Sequence, residues 1–208
     1  MIVVSIIKLK YKPRCRVILD TGDFYDFSTD LILKYSILKN QPFTDKVFNL
    51  LNAEQRIIDA KQTAYNYASY KPRTIKQTIE KLKLKEFNPE EIDLAIAFLK
   101  DFNLLDDVRF ARDFIPMYIK KKPSGKQRII LELYKRGVPK DIIHESIEEY
   151  FPEEDNLTIA LQAAEKKMRS VSRKPIDKQK STLASFLQRQ GFDWHVIKQT
   201  LTHFFRDN

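Results

Sequence analysis

One pattern occurs three times in this chain, and that repetition limits the fold more than any single motif. The segments are KPRTIKQTIEKLKLKEFNPEEIDLAIAFLK from Lys71, KPSGKQRIILELYKRGVPKDIIHESIEEYF from Lys122 and KPIDKQKSTLASFLQRQGFDWHVIKQTLTHFF from Lys174. Phe87, Ile92, Ile96 and Leu99 correspond to Val138, Ile143, Ile147 and Tyr150, and to Phe192, Ile197, Leu201 and Phe204. The intervals in each set are five, four and three residues, so the last three members share one helix face. A leucine stands five residues before each set: Leu82, Leu133 and Leu187.

The punctuation repeats as well. Each segment opens on Lys-Pro, which ends a preceding helix. Gly137 and Gly191 stand where a helix C′ residue is expected. Asn88-Pro89-Glu90-Glu91 reads as a helix start, with a capping side chain, proline in the first turn and acids at the positive end. A further helix precedes each Lys-Pro; in the third unit Leu157, Leu161, Ala164, Met168 and Val171 mark its apolar stripe. Each unit is therefore three helices, and the period is 51–54 residues. A single unit buries its apolar face poorly, whereas stacked units share a core. The expected architecture is mainly α: three tandem three-helix repeats (54–103, 104–152 and 153–206) in an elongated curved array.

Residues 1–27 have a different texture and open an N-terminal β-hairpin/helix element of residues 1–50. IVVSIIKLKY and RCRVILD are rich in β-branched residues, and the turn Asp20-Thr-Gly-Asp23 follows. This predicts a β-hairpin, with FYDF as a third strand, then helices starting at Ser28 and near Thr44. The lone Cys15 excludes an internal disulfide and a thiolate zinc site, and reads as a small buried apolar residue. MIVVSIIKL is too short to span a bilayer and lacks a signal peptide's basic start and cleavage site. The expectation is a soluble, cytoplasmic protein without a membrane role.

Where the first repeat passes into the second, Leu104–Ala111 reads LLDDVRFA. Its adjacent carboxylates invite a catalytic reading. A helix start explains them better: Asp106 as N-cap, Asp107 at the positive helix end, and Leu105 and Phe110 at the positions of a hydrophobic staple. Phe110, Phe114 and Met117 are then expected on the buried stripe. Other chemistry is weakly represented. Asp155 with Glu165-x-Lys167 imitates a nuclease pattern, but on a helix and without a converging carboxylate cluster. His144, His195 and His203 lack the i, i+4 spacing of a helical zinc pair, and His195 beside Trp194 reads as helix surface. With only 4 glycines and no phosphate loop or nucleophile elbow, nothing implies an enzyme, a cofactor or a small-molecule ligand.

Charge is the remaining signal. The net charge is +9, but residues 71–85, 120–128 and 166–180 together carry +16, leaving −7 for the rest. All three windows fall at the Lys-Pro junction and early second helix of a repeat. Stacking would align them in a row suited to a phosphate backbone or an acidic protein groove. The residues expected to make electrostatic contact are Arg73 and Lys76; Lys120, Lys121, Lys122, Lys126 and Arg128; and Arg169, Arg173, Lys174 and Lys178. Tyr118 and Tyr134 lie beside the second cluster, where packing in the core is the plainer reading.

LLDDVRFA (Leu104, Leu105, Asp106, Asp107, Arg109, Phe110), the three tri-helical units and the third unit's Gly191-Phe192-Asp193-x-x-x-Ile197 resemble the RecX family, regulators of the RecA recombinase. The resemblance spans about residues 55–205. It implies a non-enzymatic protein that binds the RecA filament in its helical groove, inhibits its activity and growth, and so acts in DNA repair, recombination and the SOS response. The chain departs from the family at Glu86, where glycine is frequent, and in Lys120-Lys121-Lys122, where linkers are often arginine-rich. Two other readings fit the pattern of residues. Tri-helical units resemble helix-turn-helix modules, which would make this an independent binder of single- or double-stranded DNA; a helical protein–protein adaptor is the other.

Overall fold

The computed structural model describes residues 1–205; residue 206, the expected end of the third repeat, lies outside them. Chain order is β1 (Val3–Lys8), β2 (Arg14–Leu19), β3 (Phe24–Ser28), α1 (Thr29–Lys34), α2 (Asp45–Tyr70), α3 (Ile75–Lys83), α4 (Pro89–Asp101), α5 (Asp107–Lys121), α6 (Lys126–Lys135), α7 (Lys140–Tyr150), α8 (Asn156–Val171), α9 (Ile176–Arg189) and α10 (Trp194–Phe205). The chain divides into two compact units. One comprises residues 1–71 and 78–104, the other residues 72–77 and 105 onward.

In the first unit the β-branched start forms an antiparallel meander, β1-β2-β3, with a register shift between Val3 and Ser5. Strand alternation sends Val3, Cys15, Val17, Leu19 and Phe27 to one face, where they pack with Leu31, Ile32, Phe43 and Leu51. Cys15 is buried as expected, its Sγ 3.7 Å from Thr29 Oγ1. The helix starts are those the sequence marks. Ser28 accepts from the Leu31 N–H and Thr44 from the Val47 N–H. α2 is one 26-residue helix, so it runs unbroken through residues 50–54. Its buried Ala60, Ala64 and Ala68 recur every four residues, and such small side chains allow α4 to pack close. Buried Gln55 accepts from the Ser28 N–H at 2.6 Å and donates to Asp59 at 2.9 Å, tying the sheet to α2.

α4 begins with the capping box its sequence specifies. Asn88 accepts from the Glu91 N–H at 2.9 Å, and Glu91 accepts from the Asn88 N–H at 2.8 Å. Arg56 of α2 adds a two-pronged bond to Glu91, at 2.6 and 3.0 Å, and donates to the Glu86 carbonyl at 2.8 Å. Glu86 stands where Gly137 and Gly191 stand in the other repeats, yet it takes the same left-handed turn, with φ +60° against +81° and +83°. The absent glycine therefore does not abolish the helix end. The carbonyl bond from Arg56 helps to hold a conformation that is otherwise unfavourable for a side-chain-bearing residue.

The second unit contains α5–α10, with two cores. One gathers Ala111, Phe114, Ile115, Ile129, Leu133, Val138, Ile143 and Ile147; the other gathers Ile159, Ala160, Ala164, Leu183, Leu187, Phe192, Val196 and Ile197. The three leucines of the repeat, Leu82, Leu133 and Leu187, are each 0% exposed. Two expectations are corrected here. Met117 is 61% exposed rather than buried, because the α-helical turn places it off the side that carries Ala111, Ile115 and Tyr118. Tyr134 projects from α6 and is 67% exposed, whereas Tyr118 packs against the second repeat's core as read. Leu133→Ala should destabilise the protein by about 2–5 kcal/mol through lost burial and an unfilled cavity. Urea unfolding of both forms measures this; a change below 1 kcal/mol on that scale would contradict the core position.

Candidate partner-binding site at the repeat joints

The expected contact residues fall where the second helix of one repeat begins. Within the second unit, α6 starts against the turn that ends α9. The Gly125 N–H donates to the Gln190 carbonyl at 3.0 Å, and the Gln127 N–H donates to the Gly191 carbonyl at 3.2 Å. Gly125 offers α6 no capping side chain; backbone carbonyls of the next repeat do that work instead. Approach is close enough to exclude side chains. A Cβ on Gly191 would lie 2.2 Å from the Arg128 nitrogen, and one on Gly125 would lie 2.4 Å from the Gly191 oxygen.

Residues 72–77 repeat this relation. Thr74 donates through Oγ1 to the Arg136 carbonyl at 2.6 Å, and the Ile75 N–H donates to Asp107 Oδ1 at 3.0 Å. A Cβ on Gly137 would meet Lys76 Cδ at 2.2 Å. The two halves of the acidic pair thus do different things. Asp106 caps α5, accepting from the N–H groups of Val108 at 2.8 Å and Arg109 at 3.1 Å, as its sequence context indicates. Asp107 is 4% exposed and holds the incoming backbone at Ile75. Leu105 is buried, Leu104 half-buried, and Phe110 packs on the second repeat's core, stacked against Phe114. Arg109 lies 3.9 Å from Asp113, an exposed i, i+4 pair.

These joints set the spacing of the charge. Arg73 and Lys76 accompany the turn that ends α6, whereas Lys126 and Arg128 lie in its first turn. The clusters are then separated by α6's 10 residues, about 15 Å of helix. Lys120, Lys121 and Lys122 end α5 just before the second joint. Arg169, Arg173, Lys174 and Lys178 gather at the far end of α9, 14 residues or about 21 Å away. Successive clusters are thus one second-helix length apart.

Their availability differs. Lys120, Lys121, Lys122, Arg169, Arg173, Lys174 and Lys178 are exposed, and none has an ion-pair partner among the described residues. Lys76 is exposed while its stem covers Gly137, and Arg73 is half-buried. Lys126 is paired with Glu153 at 2.7 Å. Arg128 pairs with Glu132 at 3.0 Å, and the same carboxylate takes Arg136 at 2.7 Å. Arg136 in turn lies 4.5 Å over the Phe114 ring. Hydrogen bonding with the Tyr118 side chain holds the Arg128 pKa above its ordinary value, against the opposing effect of burial. The i, i+4 spacing of Arg128 and Glu132 in α6 is a sequence signal that could have separated Arg128 from the other cations.

Hydrogen bonding from Arg136, with Arg128 and Lys135 nearby, holds the Glu132 carboxyl below the usual carboxylate range. A depressed carboxylate stabilises the fold above its unfolded-state pKa and loses that contribution as pH falls through its lower native value. Glu132→Gln should therefore lower stability at neutral pH while making it fall less steeply below about pH 4. Thermal melts across pH 2–7 measure the slope; parallel curves for both proteins would refute the assignment. Gly191→Ala tests the joint itself. Gly22 has a similar φ, +89° against +83°, but nothing within 4 Å of its added Cβ. Gly22→Ala should show only the left-handed cost of about 1–2 kcal/mol, and Gly191→Ala distinctly more; equal losses in urea titrations would mean that the joint tolerates a side chain.

Among the described residues no three His, Cys, Asp or Glu side chains converge to hold a metal. Asp155 and Glu165 are both exposed. No helix among the described residues is long and apolar enough to cross a membrane.

A small sheet followed by three tandem three-helix units defines an α-helical repeat protein. The three units match family models described as the first, second and third three-helix domains of RecX, over residues 60–99, 106–147 and 153–201. The chain is 33% identical over 181 residues to a protein from Finegoldia magna, covering 86% of this chain and 88% of the relative. It is 29% identical over 202 residues to one from Clostridium acetobutylicum, covering 96% and 94%. Both relatives carry the name Regulatory protein RecX. Its fold matches a crystal structure of regulatory protein RecX with a TM-score of 0.74 at 20% identity, over 96% of this chain and 98% of that one. It also matches RecX from Lactobacillus salivarius with a TM-score of 0.64 at 22% identity, over 73% and 98%. The chain belongs to the RecX family.

Proposed function

We propose that this protein is a non-enzymatic regulator that binds the RecA recombinase filament in its helical groove and inhibits filament growth and activity. Family membership supplies the partner. The observation that carries the binding mode is the spacing of the cationic clusters by one second-helix length. A periodic series of cations suits a periodic partner, because each repeat can meet an equivalent surface on a successive subunit. Lys120, Lys121, Lys122, Arg169, Arg173, Lys174 and Lys178 carry the contact in this reading, with Arg73 and Lys76 in the series. Lys126 and Arg128 contribute less, since Glu153 and Glu132 already neutralise them.

The helix-turn-helix alternative is disfavoured by charge. The third helix of such a unit is the one that enters a DNA groove. In the first two units α4 carries Glu90, Asp93 and Asp101, and α7 carries Asp141, Glu145, Glu148 and Glu149, which would repel phosphates. α10 of the third unit carries no acid, so the argument covers those two units. Steady-state ATP hydrolysis by RecA on single-stranded DNA tests the proposal. The protein should inhibit at substoichiometric ratios to RecA. Replacing Lys120, Lys121 and Lys122 with Glu should weaken inhibition about tenfold or more, given roughly 1 kcal/mol per charge in a multi-contact interface, with the helical circular dichroism unchanged. Inhibition that vanishes when bare DNA is supplied in excess would point to simple DNA competition. No inhibition at any ratio would leave the adaptor reading.

A further inference from the structure

The N-terminal sheet carries a second basic element, apart from the repeats. Residues 1–19 contain Lys8, Lys10, Lys12, Arg14 and Arg16 and no acid. Arg14 is bonded to Asp59, and Arg16 to Asp26 through two bonds of 2.8 and 3.0 Å. Lys8, Lys10 and Lys12 are exposed and have no ion-pair partner among the described residues. They alternate along the β1–β2 hairpin and bracket Tyr11, which is 88% exposed, with Lys10 Nζ 5.6 Å from its ring centre. Lys8, in register with core-facing Cys15, stands on the core side of its strand, so the sheet face turned away from the core adds its own residues beside the hairpin tip. Ile7, Arg16 and Asp26 form one cross-strand row, and Ser5, Ile18 and Phe24 the next. The Arg16 guanidinium lies 4.3 Å over the Phe24 ring, and Phe24 is 56% and Ile7 49% exposed.

A large aromatic ring left almost wholly in water between free lysines has no packing role here. It does have a binding one. We propose that the β1–β2 hairpin and the open face of the sheet form a contact for single-stranded nucleic acid. Lys10 and Lys12 at the hairpin tip meet phosphates, with Lys8 at the strand end beside them, while Tyr11 and, on the open face, Phe24 offer flat surfaces on which unpaired bases stack. A duplex satisfies the lysines but not the rings, since its bases are already stacked. An acidic protein likewise needs the lysines only.

The test uses the full chain without recombinase, so its outcome is separate from that of the RecA proposal. Binding of fluorescein-labelled oligothymidylate is followed by anisotropy over a range of salt concentrations. Replacing Lys8, Lys10 and Lys12 with Ala should lower the magnitude of the log–log salt slope by about 2. Tyr11→Ala should weaken binding about fivefold or more, while Tyr11→Phe, which keeps the ring, should bind as the unaltered protein does. Circular dichroism and melting temperature should not move, because these side chains contact little. Absence of oligonucleotide binding, an unchanged slope, equal affinity for a blunt duplex or equal losses for both Tyr11 variants would each overturn the proposal. So would lysine variants that keep oligonucleotide affinity but lose RecA inhibition, which would make the hairpin a protein contact.

Discussion

The backbone contact between Gly125–Gln127 and the Gln190–Gly191 turn underlies the arrangement of the second unit. A helix start is a row of unsatisfied N–H groups, and a helix end is a row of unsatisfied carbonyls. Placing one against the other satisfies both without a capping side chain. It also sets the positive pole of α6 near the negative pole of α9, a favourable arrangement of helix dipoles. The bond can form only if the turn has no Cβ. Glycine at 137 and 191 therefore answers two demands, a left-handed φ and a close approach. Glu86 has the same φ but ends α3 within the first unit, where Arg56 reaches its carbonyl. It meets only the first demand, which a side-chain-bearing residue can satisfy at modest cost.

The charge distribution follows from this geometry. Lys120 and Lys121 lie in the last turn of α5, where cations favour the helix pole. Part of their presence is thus explained without a partner. That explanation does not extend to Lys122, Arg173 or Lys174, which stand beyond their helices without ionic partners among the described residues. By contrast, Lys126 and Arg128 are absorbed into intramolecular pairs. The basic windows are similar in composition but divide into cations held by the fold and cations left to solvent.

Much of the fold was legible in the sequence. The repeat intervals, Lys-Pro punctuation and anchor leucines marked every helix of the tri-helical units, and Ser28, Thr44, Asn88 and Asp106 marked helix starts that the structure confirms. These features are local: capping involves residues two or three positions apart, and one buried stripe follows from helical periodicity. The errors were also of one kind. Phe110, Phe114 and Met117 stand at i, i+4 and i+7, but the core lies toward Ala111 and Ile115, so the last of the three faces solvent. Tyr134, read as a core residue, likewise projects into solvent. The candidate site was legible only as a list of cations. Which of them are neutralised depended on Glu132, an i, i+4 partner that helical spacing could have revealed, and on Glu153, 27 residues from Lys126, which no spacing rule revealed.

The sequence by itself determined three helical triplets and the excess of positive charge at their junctions, because hydrophobic period, capping and composition act over a few residues. Only the tertiary structure decided that Asp107 binds the backbone at Ile75, that the glycine turns are seats for an incoming helix, and that successive cation clusters stand one helix length apart. Those facts depend on groups tens of residues apart in the chain meeting at hydrogen-bond distance, and such meetings are set by packing of the whole unit rather than by local propensity.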